Sequence, residues 1–317
     1  MELTVLSAQE HPQIAAAAIA RDRLNHATWG APLSIEEWID REALLWRHPF
    51  AQHGLRLWLL HRDGGVVASS ESYAVPVVHA GGRGIAHGMA SVFVEERLRG
   101  QGLASALLMA VHDRLRAEGA LCTYLMSEVG PKIYERLGYV ARPMHVRRAS
   151  ALTPGKADVP GVEWIDRAAL PLLLGATPVD AGSSAGVRLF ATADQLDWHV
   201  ERGSYYARHM GRAQQQIVGA RMGQSWAVWA ADPAADLLRV LALQIGEDGG
   251  ADALWHSARV AAGQLALSAV EAWEEGEQTG GRSTGARLPC PDLPMMCALQ
   301  PGIDPATWIG CARGLWI

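Results

Sequence analysis

The chain has 317 residues, of which 49% are hydrophobic and 19% charged, a composition that is typical of globular proteins and excludes an intrinsically disordered chain. Its length predicts two domains of ordinary size. The formal net charge is −5 at pH 7, with 16 basic and 15 acidic residues in the first 150 positions and 12 and 18 in the remainder. Because no basic cluster is present, we do not expect nucleic acid as a partner.

The sequence indicates neither a membrane segment nor a metal site. No apolar run approaches the length of about eighteen residues that a membrane span needs, and the first residues lack the basic-then-apolar layout of a signal peptide. We therefore expect a cytoplasmic protein with no membrane partner. The four cysteines show no C-x-x-C spacing and the twelve histidines no H-x-x-x-H pattern, so we expect no metal.

The first 150 residues are predicted to form one domain of alternating strands and helices. Ser34 has the character of a helix N-cap, since Glu36 and Glu37 follow in the favourable first turn. Asp63-Gly64-Gly65 is a hairpin signal between two β-rich runs. The predicted strands cover residues 3–6, 55–61, 66–77, 84–94, 121–126 and 139–147, and the predicted helices cover 13–24, 34–46 and 129–137, with a longer helix after residue 102.

A glycine-rich loop precedes that longer helix. Its residues are Arg99, Gly100, Gln101, Gly102, Leu103 and Ala104. Leu107, Val111 and Leu115 then recur every four residues, which is the period of a helix that buries one stripe. Two glycines allow a tight turn and close approach to an anion, so the N–H groups at the helix N-terminus, with the hydroxyl of Ser105, are predicted to bind a pyrophosphate.

Residues 151–162 are predicted to be a linker, because proline, glycine and small residues are frequent there. We predict that residues 163–317 form a second α+β domain, whose order of elements repeats that of the first. The second domain has no counterpart of the glycine-rich anion loop: the segment at 246–250 is acidic, which would repel pyrophosphate. The predicted elements are helices at 192–209 and 252–275, strands at 216–220, 225–230 and 237–245, and a loop at 276–287.

Two motifs in the first domain resemble those of the GNAT superfamily of N-acetyltransferases. Arg99, Gly102 and Ala104 form an R-x-x-G-x-A pattern that resembles the coenzyme A loop of these enzymes, and residues 134–139 resemble their Y-x-[KR]-[LF]-G-[FY] signature. The resemblance implies the α+β GNAT fold, a mixed and mostly antiparallel sheet flanked by helices. It also implies acetyl-CoA as cosubstrate and no metal. The second domain is interpreted as a degenerate GNAT-like or other α+β domain.

A more specific resemblance is to the fungal lysine N6-acetyltransferases, which carry a GNAT domain followed by a C-terminal domain of their own. Their H-G-x-A-S-V-F strand resembles residues 87–93, and their S-[DE]-[IV]-G segment resembles residues 127–130. Trp198-His199 and Trp226 to Trp229 are similar to their second-half patterns. This resemblance implies acetylation of a small-molecule amine, with lysine or a similar amino acid as the first expectation.

The GNAT resemblance also implies roles for individual residues. Main-chain N–H groups of Phe93 and Val94 would polarise the thioester carbonyl, and Ser127 stands where most of the superfamily has asparagine. Tyr134 matches the tyrosine that protonates the departing thiolate, and its ordinary pKa of about 10 suits that role.

Two candidates remain for the base that deprotonates the amine, Glu71 and His87, and the sequence does not rank one above the other. We also expect Trp29 near the amine pocket.

Three functions remain open from the sequence. The first is acetylation of a small amine by direct attack. The second is acetylation of protein or aminoglycoside amines, and the third is an acetyl-CoA-binding sensor without turnover. We expect a monomer or a homodimer.

Overall fold

The computed structural model describes residues 1–11, 16–80, 82–153, 159–175, 186–247, 249–274, 284–310 and 312–316. The described chain forms two mixed sheets flanked by helices. The predicted loop at 276–287 lies largely outside these residues, as do the first positions of the predicted helix at 13–24. None of the described helices is long and apolar enough to span a membrane.

The elements of the first half follow the predicted order closely. Its strands are β1 Glu2–Ser7, β2 Leu55–Arg62, β3 Gly65–His79, β4 Gly82–Val94, β5 Cys122–Ser127, β6 Val140–Ala141 and β7 His145–Ser150. Its helices are α1 Ala16–Trp29, α2 Ile35–Trp46, α3 Pro49–Gly54, α4 Leu103–Ala117 and α5 Lys132–Glu135. Helix α2 begins with the expected cap, because the Ser34 side chain accepts from the Glu37 N–H and the Glu37 carboxylate accepts from the Ser34 N–H.

The second half repeats this plan. Its strands are β8 Glu163–Asp166, β9 Arg188–Leu189, β10 Ile217–Met222, β11 Ser225–Asp232, β12 Leu237–Gln244, β13 Ala269–Glu274, β14 Ala286–Pro289 and β15 Leu293–Ala298. Its helices are α6 Leu170–Gly175, α7 Ala193–His209 and α8 Ala251–Gln264.

The two sheets exchange a strand. The first has the order β1-β2-β3-β4-β5-β15-β6, with β9 joined to β3, and the second has the order β8-β10-β11-β12-β13-β7-β14. Strand β15 pairs antiparallel with β5, and β7 pairs antiparallel with β13. The segment predicted as one strand at 139–147 is therefore two strands in different sheets. Each sheet depends on a strand from the other half of the chain.

Helix α4 covers one face of the first sheet. The leucines and valine that carry its period are fully buried, with Leu107, Val111 and Leu115 each at 0% exposure. They pack against Trp58 and Met89 of the sheet. This burial of one helical stripe fixes the N-terminus of α4 beside the end of β4.

The predicted helix at 252–275 is too long. Helix α8 ends at Gln264, Ala266 takes a left-handed conformation (φ 52°), and the chain continues as strand β13. In that strand Glu271 and Glu274 are buried, and each is held by two arginines: Glu271 by Arg148 and Arg239, and Glu274 by Arg147 and Arg287. These ion pairs satisfy carboxylates that a sequence pattern places on an exposed helical face.

Candidate active site

Strands β4 and β5 run parallel and then separate. Their pairing covers Ala86 with Cys122, His87 with Thr123 and Gly88 with Tyr124, whereas β4 continues to Val94 and β5 to Ser127. Beyond the pair of Gly88 with Tyr124, the main-chain groups of β4 and β5 that face the gap are not paired with the opposite strand. A cavity of about 310 Å³ opens at this gap.

A β-bulge distorts β4 beside the gap. The pairing of β3 with β4 shifts register between Ser69 and Glu71, and Ser91 takes a left-handed backbone conformation (φ 50°). The Ser91 hydroxyl donates to the Glu71 carboxylate at 2.9 Å, which holds the bulge in place. Such a bulge turns backbone N–H groups away from the ladder and towards the open side of the strand.

Both halves of the chain line the cavity. The first half contributes residues from α1, α2, β3, β4, β5 and the segment after β5, and the second half contributes Trp198 and Arg202 of α7 with Leu315 and Trp316. The lining includes six charged side chains and two hydroxyl groups of interest. The charged residues are Arg21, Arg41, Glu42, Glu71, Glu128 and Arg202, and the hydroxyl groups are those of Ser91 and Tyr134. Trp29 lines the cavity as well, and its ring meets that of Phe93 edge to face at 6.0 Å.

Glu71 lies in a buried charge network. Its carboxylate accepts from the Arg21 guanidinium at 2.7 Å, and Arg21 also pairs with Asp22 at 2.8 Å. Burial opposes the charge on Arg21, but the two carboxylates hold its pKa above the usual value. Burial raises the pKa of Asp22, which stands deepest in the network. Glu71 is thus a fixed, ion-paired carboxylate at the cavity wall.

Tyr134 reaches the same cavity from α5. Its ring packs edge to face on Tyr139 at 5.8 Å, and no described residue hydrogen-bonds to its hydroxyl. Burial and the nearby Glu128 carboxylate raise the pKa of Tyr134 above its usual value of 10.0. The phenol therefore carries its proton at neutral pH, as a proton donor must.

His87 lies on the opposite face of the sheet from Glu71. It shares a face of β4 with Met89, two residues further on, which packs against α4, whereas Glu71 pairs across the strands with Ala90 on the other face. His87 is 5% exposed and does not line the cavity. Burial lowers its pKa to about 4, so its ring is neutral at pH 7. The structure brings together Glu71 and Tyr134 but not His87.

The predicted anion loop has an open backbone. Gly100 (φ 77°) and Gly102 (φ 74°) are both left-handed, and a side chain at either would meet no atom within 4 Å. Gly102 is the N-cap of α4 and has no side chain that could cap the helix. The first N–H groups of the helix, at Leu103, Ala104 and Ser105, therefore face outwards and donate to no capping side chain. Gln101 accepts from Arg62 at 2.9 Å, and Arg99 donates to the Val94 carbonyl at 3.2 Å.

The remaining predicted residues lie near the gap. The Ser127 hydroxyl is buried and donates to the Gly130 carbonyl at 2.7 Å, which fixes the turn before α5. Phe93 and Val94 follow the bulge and pair with Ser69 and Ala68 on the β3 side. The β4 residues that line the cavity are Gly88 to Val92, a segment that ends one residue before Phe93.

Of the six charged residues of the lining, sequence reasoning identified Glu71 and missed Arg21, Arg41, Glu42, Glu128 and Arg202. Arg41 donates to the Tyr206 hydroxyl at 2.7 Å and packs over Trp38, with its guanidinium carbon 3.8 Å from the ring centroid. Arg202 lies on α7, in the second half of the chain, and the motifs of the first half gave no information about it. Glu128 stands inside the S-[DE]-[IV]-G segment, which was the available signal. Among the described residues, no three His, Cys, Asp or Glu side chains converge as metal ligands would.

Comparisons with known proteins agree with this architecture. Residues 34–141 match the family model described as an acetyltransferase (GNAT) domain, and residues 156–281 match that of the LYC1 GNAT-like C-terminal domain. No curated protein sequence matches the chain.

Solved structures with a similar fold include two named as GNAT or GCN5-related proteins and one named Eis1. A GCN5-related N-acetyltransferase from Kribbella flavida has a TM-score of 0.57 at 17% identity, over 93% of this chain and 70% of that one. Eis1 from Mycobacterium abscessus has a TM-score of 0.53 at 13% identity, over 95% and 74%. A tandem GNAT protein from the clavulanic acid biosynthesis pathway has a TM-score of 0.50 at 11% identity, over 95% and 99%. The chain therefore has two GNAT-like domains, the first matching the model of a GNAT domain and the second that of the LYC1 GNAT-like C-terminal domain.

Proposed function

We propose that this protein is an acetyl-CoA-dependent N-acetyltransferase that acetylates a primary amine on a small molecule. The observation that carries the proposal is the gap between β4 and β5, where the Ser91 bulge, the Glu71 carboxylate and the Tyr134 phenol line one cavity. The GNAT domain match over residues 34–141 supports the reaction class.

The loop before α4 fits the pyrophosphate of acetyl-CoA. Anions bind at helix N-termini because the first N–H groups lack intrahelical partners and the helix dipole is positive there. At Gly100 and Gly102 the backbone is bare and left-handed, so a phosphate can approach it without meeting a side chain. The pantetheine arm would then enter between β4 and β5 and bring the thioester to the bulge.

The chain's own residues supply two steps of the reaction. The N–H groups of β4 at the bulge would donate to the carbonyl oxygen of the thioester as it gains negative charge. The amine nitrogen attacks the carbonyl carbon, the carbon–sulfur bond breaks, and the sulfur leaves as a thiolate that takes the Tyr134 proton. The substrate ammonium loses one proton to solvent before the attack. The second proton that its nitrogen loses as the amide forms passes through water to the Tyr134 phenolate and restores the phenol.

We expect Glu71 rather than His87 to contact the amine. Glu71 lines the cavity, whereas His87 lies on the other face of the sheet. A carboxylate paired with Arg21 is a weak base but a good fixed acceptor for an ammonium group. Water can then carry the proton away, because the pKa of a lysine-like amine is near 10.

The size and position of the cavity favour a small amine over a protein or an aminoglycoside. A volume of about 310 Å³ is at the lower end for ligand sites, and it must also admit the acetyl group. Side chains from α7 and from Trp316 close it on the second-half side. We take lysine or a similar amino acid as the first substrate to test.

The test is release of coenzyme A from acetyl-CoA with a panel of amines. Tyr134→Phe should lower kcat by about 10²- to 10⁴-fold, the range for loss of a general acid, without weakening acetyl-CoA binding. Tyr205→Phe is the matched control, because the Tyr205 hydroxyl donates to the Glu37 carbonyl outside the cavity. Binding of acetyl-CoA without release with any amine would instead support a sensor.

A further inference from the structure

The cavity contains six charged side chains, and four of them are already paired. Arg21 is paired with Glu71, and Arg41 with Glu42. Arg202 and Glu128 remain. Among the described residues, no carboxylate lies within 4 Å of the Arg202 guanidinium, and no basic nitrogen lies that close to the Glu128 carboxylate.

Arg202 is held in place by an aromatic ring rather than by a counterion. Its guanidinium carbon lies 4.7 Å from the centroid of the Trp316 ring. The other neighbour of that ring is Arg313, at 4.1 Å, which is paired with Asp292 at 2.9 Å. A cation fixed by stacking keeps its N–H donors free for an anion.

The acids near Arg202 are committed to other partners. Asp232 accepts from Arg239 at 3.0 Å, and Glu42 is paired with Arg41. Burial and the nearby Arg41 guanidinium lower the pKa of Arg202, as expected for a cation that faces another cation without a carboxylate of its own. The charge arrangement in the cavity is therefore incomplete without an anion beside Arg202.

Glu128 is the other charge of the lining without an ion-pair partner among the described residues. It is exposed at the side of the cavity that also holds Tyr134. Its partial withdrawal from water and the Asp292 carboxylate raise its pKa, against the opposite effect of the Arg313 and Arg202 guanidinium groups. A cavity that offers a free guanidinium and a free carboxylate matches a molecule that carries both a carboxylate and an ammonium group.

We propose that Arg202 binds the carboxylate of an amino-acid substrate, so that the C-terminal half selects amines that carry a carboxylate. This inference rests on the proposed function, since it names the class of the acetyl acceptor. Arg202 is a specificity residue in this scheme: it touches the substrate far from the reacting nitrogen. A planar guanidinium suits a carboxylate, because two N–H donors can reach both oxygens.

The experiment compares the binding of amino acids with that of their amides by calorimetry, in the presence of coenzyme A. Lysine and lysinamide are the first pair, followed by the same pairs for ornithine and arginine. We expect the unsubstituted protein to bind the acid about 10- to 100-fold more tightly than its amide, the range for a hydrogen-bonded charge pair. Equal affinities for acid and amide in every pair would overturn the proposal without any variant being made.

Arg202→Gln should remove this preference. The variant should bind the acid as weakly as the amide, and Arg202→Lys should keep part of the preference because the charge remains. The matched control is Arg208→Gln, an exposed arginine of the same helix. Melting temperatures near that of the unsubstituted protein establish that each variant is folded. A full preference retained in Arg202→Gln would also overturn the proposal.

The two proposals fail in different measurements. Selective binding of the acid with no release of coenzyme A would contradict the proposed acetyl transfer but not the carboxylate site. Turnover of carboxylate-free amines such as cadaverine at the rate of lysine would contradict the carboxylate site but not acetyl transfer.

Discussion

The two halves of the chain repeat one architecture but differ at its opening. Strands β4 and β5 pair in parallel and then separate, and β12 and β13 do the same after Val240 and Ala272. The first opening leads to a cavity of about 310 Å³, whereas the second holds a space of about 30 Å³. The second opening is lined by Leu254, Trp255 and the Arg147–Glu274 pair. Side chains, not the path of the backbone, decide which opening can admit a ligand.

The loops before the two long helices differ in the same way. Gly249 (φ 78°) and Gly250 (φ 103°) precede α8 much as Gly100 and Gly102 precede α4. In the second loop, however, the Ser225 side chain accepts from the Gly246 N–H at 2.8 Å and donates to the Gly249 carbonyl. Glu247 adds a negative charge. That loop is tied to β11, and its charge opposes phosphate. Of the two loops, as far as the structure describes them, we therefore expect the one at Gly100 and Gly102 to bind an anion.

The largest expected effect comes from separating the halves. A fragment of residues 1–150 lacks β15, whose Met295 and Met296 are fully buried beside β5. We expect this fragment to show no cooperative thermal transition, because the edge of β5 exposes apolar residues and unpaired main-chain groups. Co-expression with residues 151–317 should restore the transition and acetyl-CoA binding.

The outcome that contradicts this expectation is a fragment of residues 1–150 that melts cooperatively and binds acetyl-CoA alone. That result would make the exchanged strand dispensable for the first half.

A matched pair of glycine substitutions compares the two loops directly. Gly102→Ala and Gly249→Ala each force alanine into a left-handed conformation in open space, at a cost of about 1–2 kcal/mol in the free energy of unfolding. Only Gly102→Ala should weaken acetyl-CoA binding, by about tenfold or more, because its Cβ stands where phosphate would approach the backbone. Calorimetry and chemical denaturation measure the two effects. Equal losses of binding in both variants would contradict the assignment of the anion site to the first loop.

The sequence predicted local features well and long-range pairing poorly. The cap of α2, the buried stripe of α4 and the loop at Gly100 and Gly102 depend on residues within a few positions of each other, and the structure has all of them. The partner of a strand is not a local property, so nothing in residues 139–150 indicated that β6 and β7 join different sheets.

The same distinction applies to the cavity. Glu71, Tyr134 and Trp29 were recognisable from motifs, and they line it. Arg202 comes from α7, and its proximity to Arg41 exists only once α2 and α7 pack together through contacts such as the Arg41–Tyr206 hydrogen bond. Glu271 and Glu274 fell inside the helix predicted at 252–275, and no local pattern indicated their burial, because the arginines that neutralise them are distant in the chain.

The smallest expected effect concerns His87, the candidate base that the fold places outside the cavity. Burial lowers its pKa from 6.5 to about 4 in the folded chain, so between these values the unfolded chain binds more protons. The contribution of neutral His87 to stability is therefore fully present above pH 6.5 and is lost as the pH falls towards 4. His87→Gln should reduce the slope of unfolding free energy against pH in that window, by up to about 1.4 kcal/mol per pH unit. His53→Gln, at an exposed histidine, is the control for replacing an imidazole at the surface. The same His87→Gln variant should keep its kcat for lysine within a few-fold at pH 8, because Glu71 lines the cavity and His87 does not. A loss of 10²-fold or more in a folded variant would return His87 to the reaction.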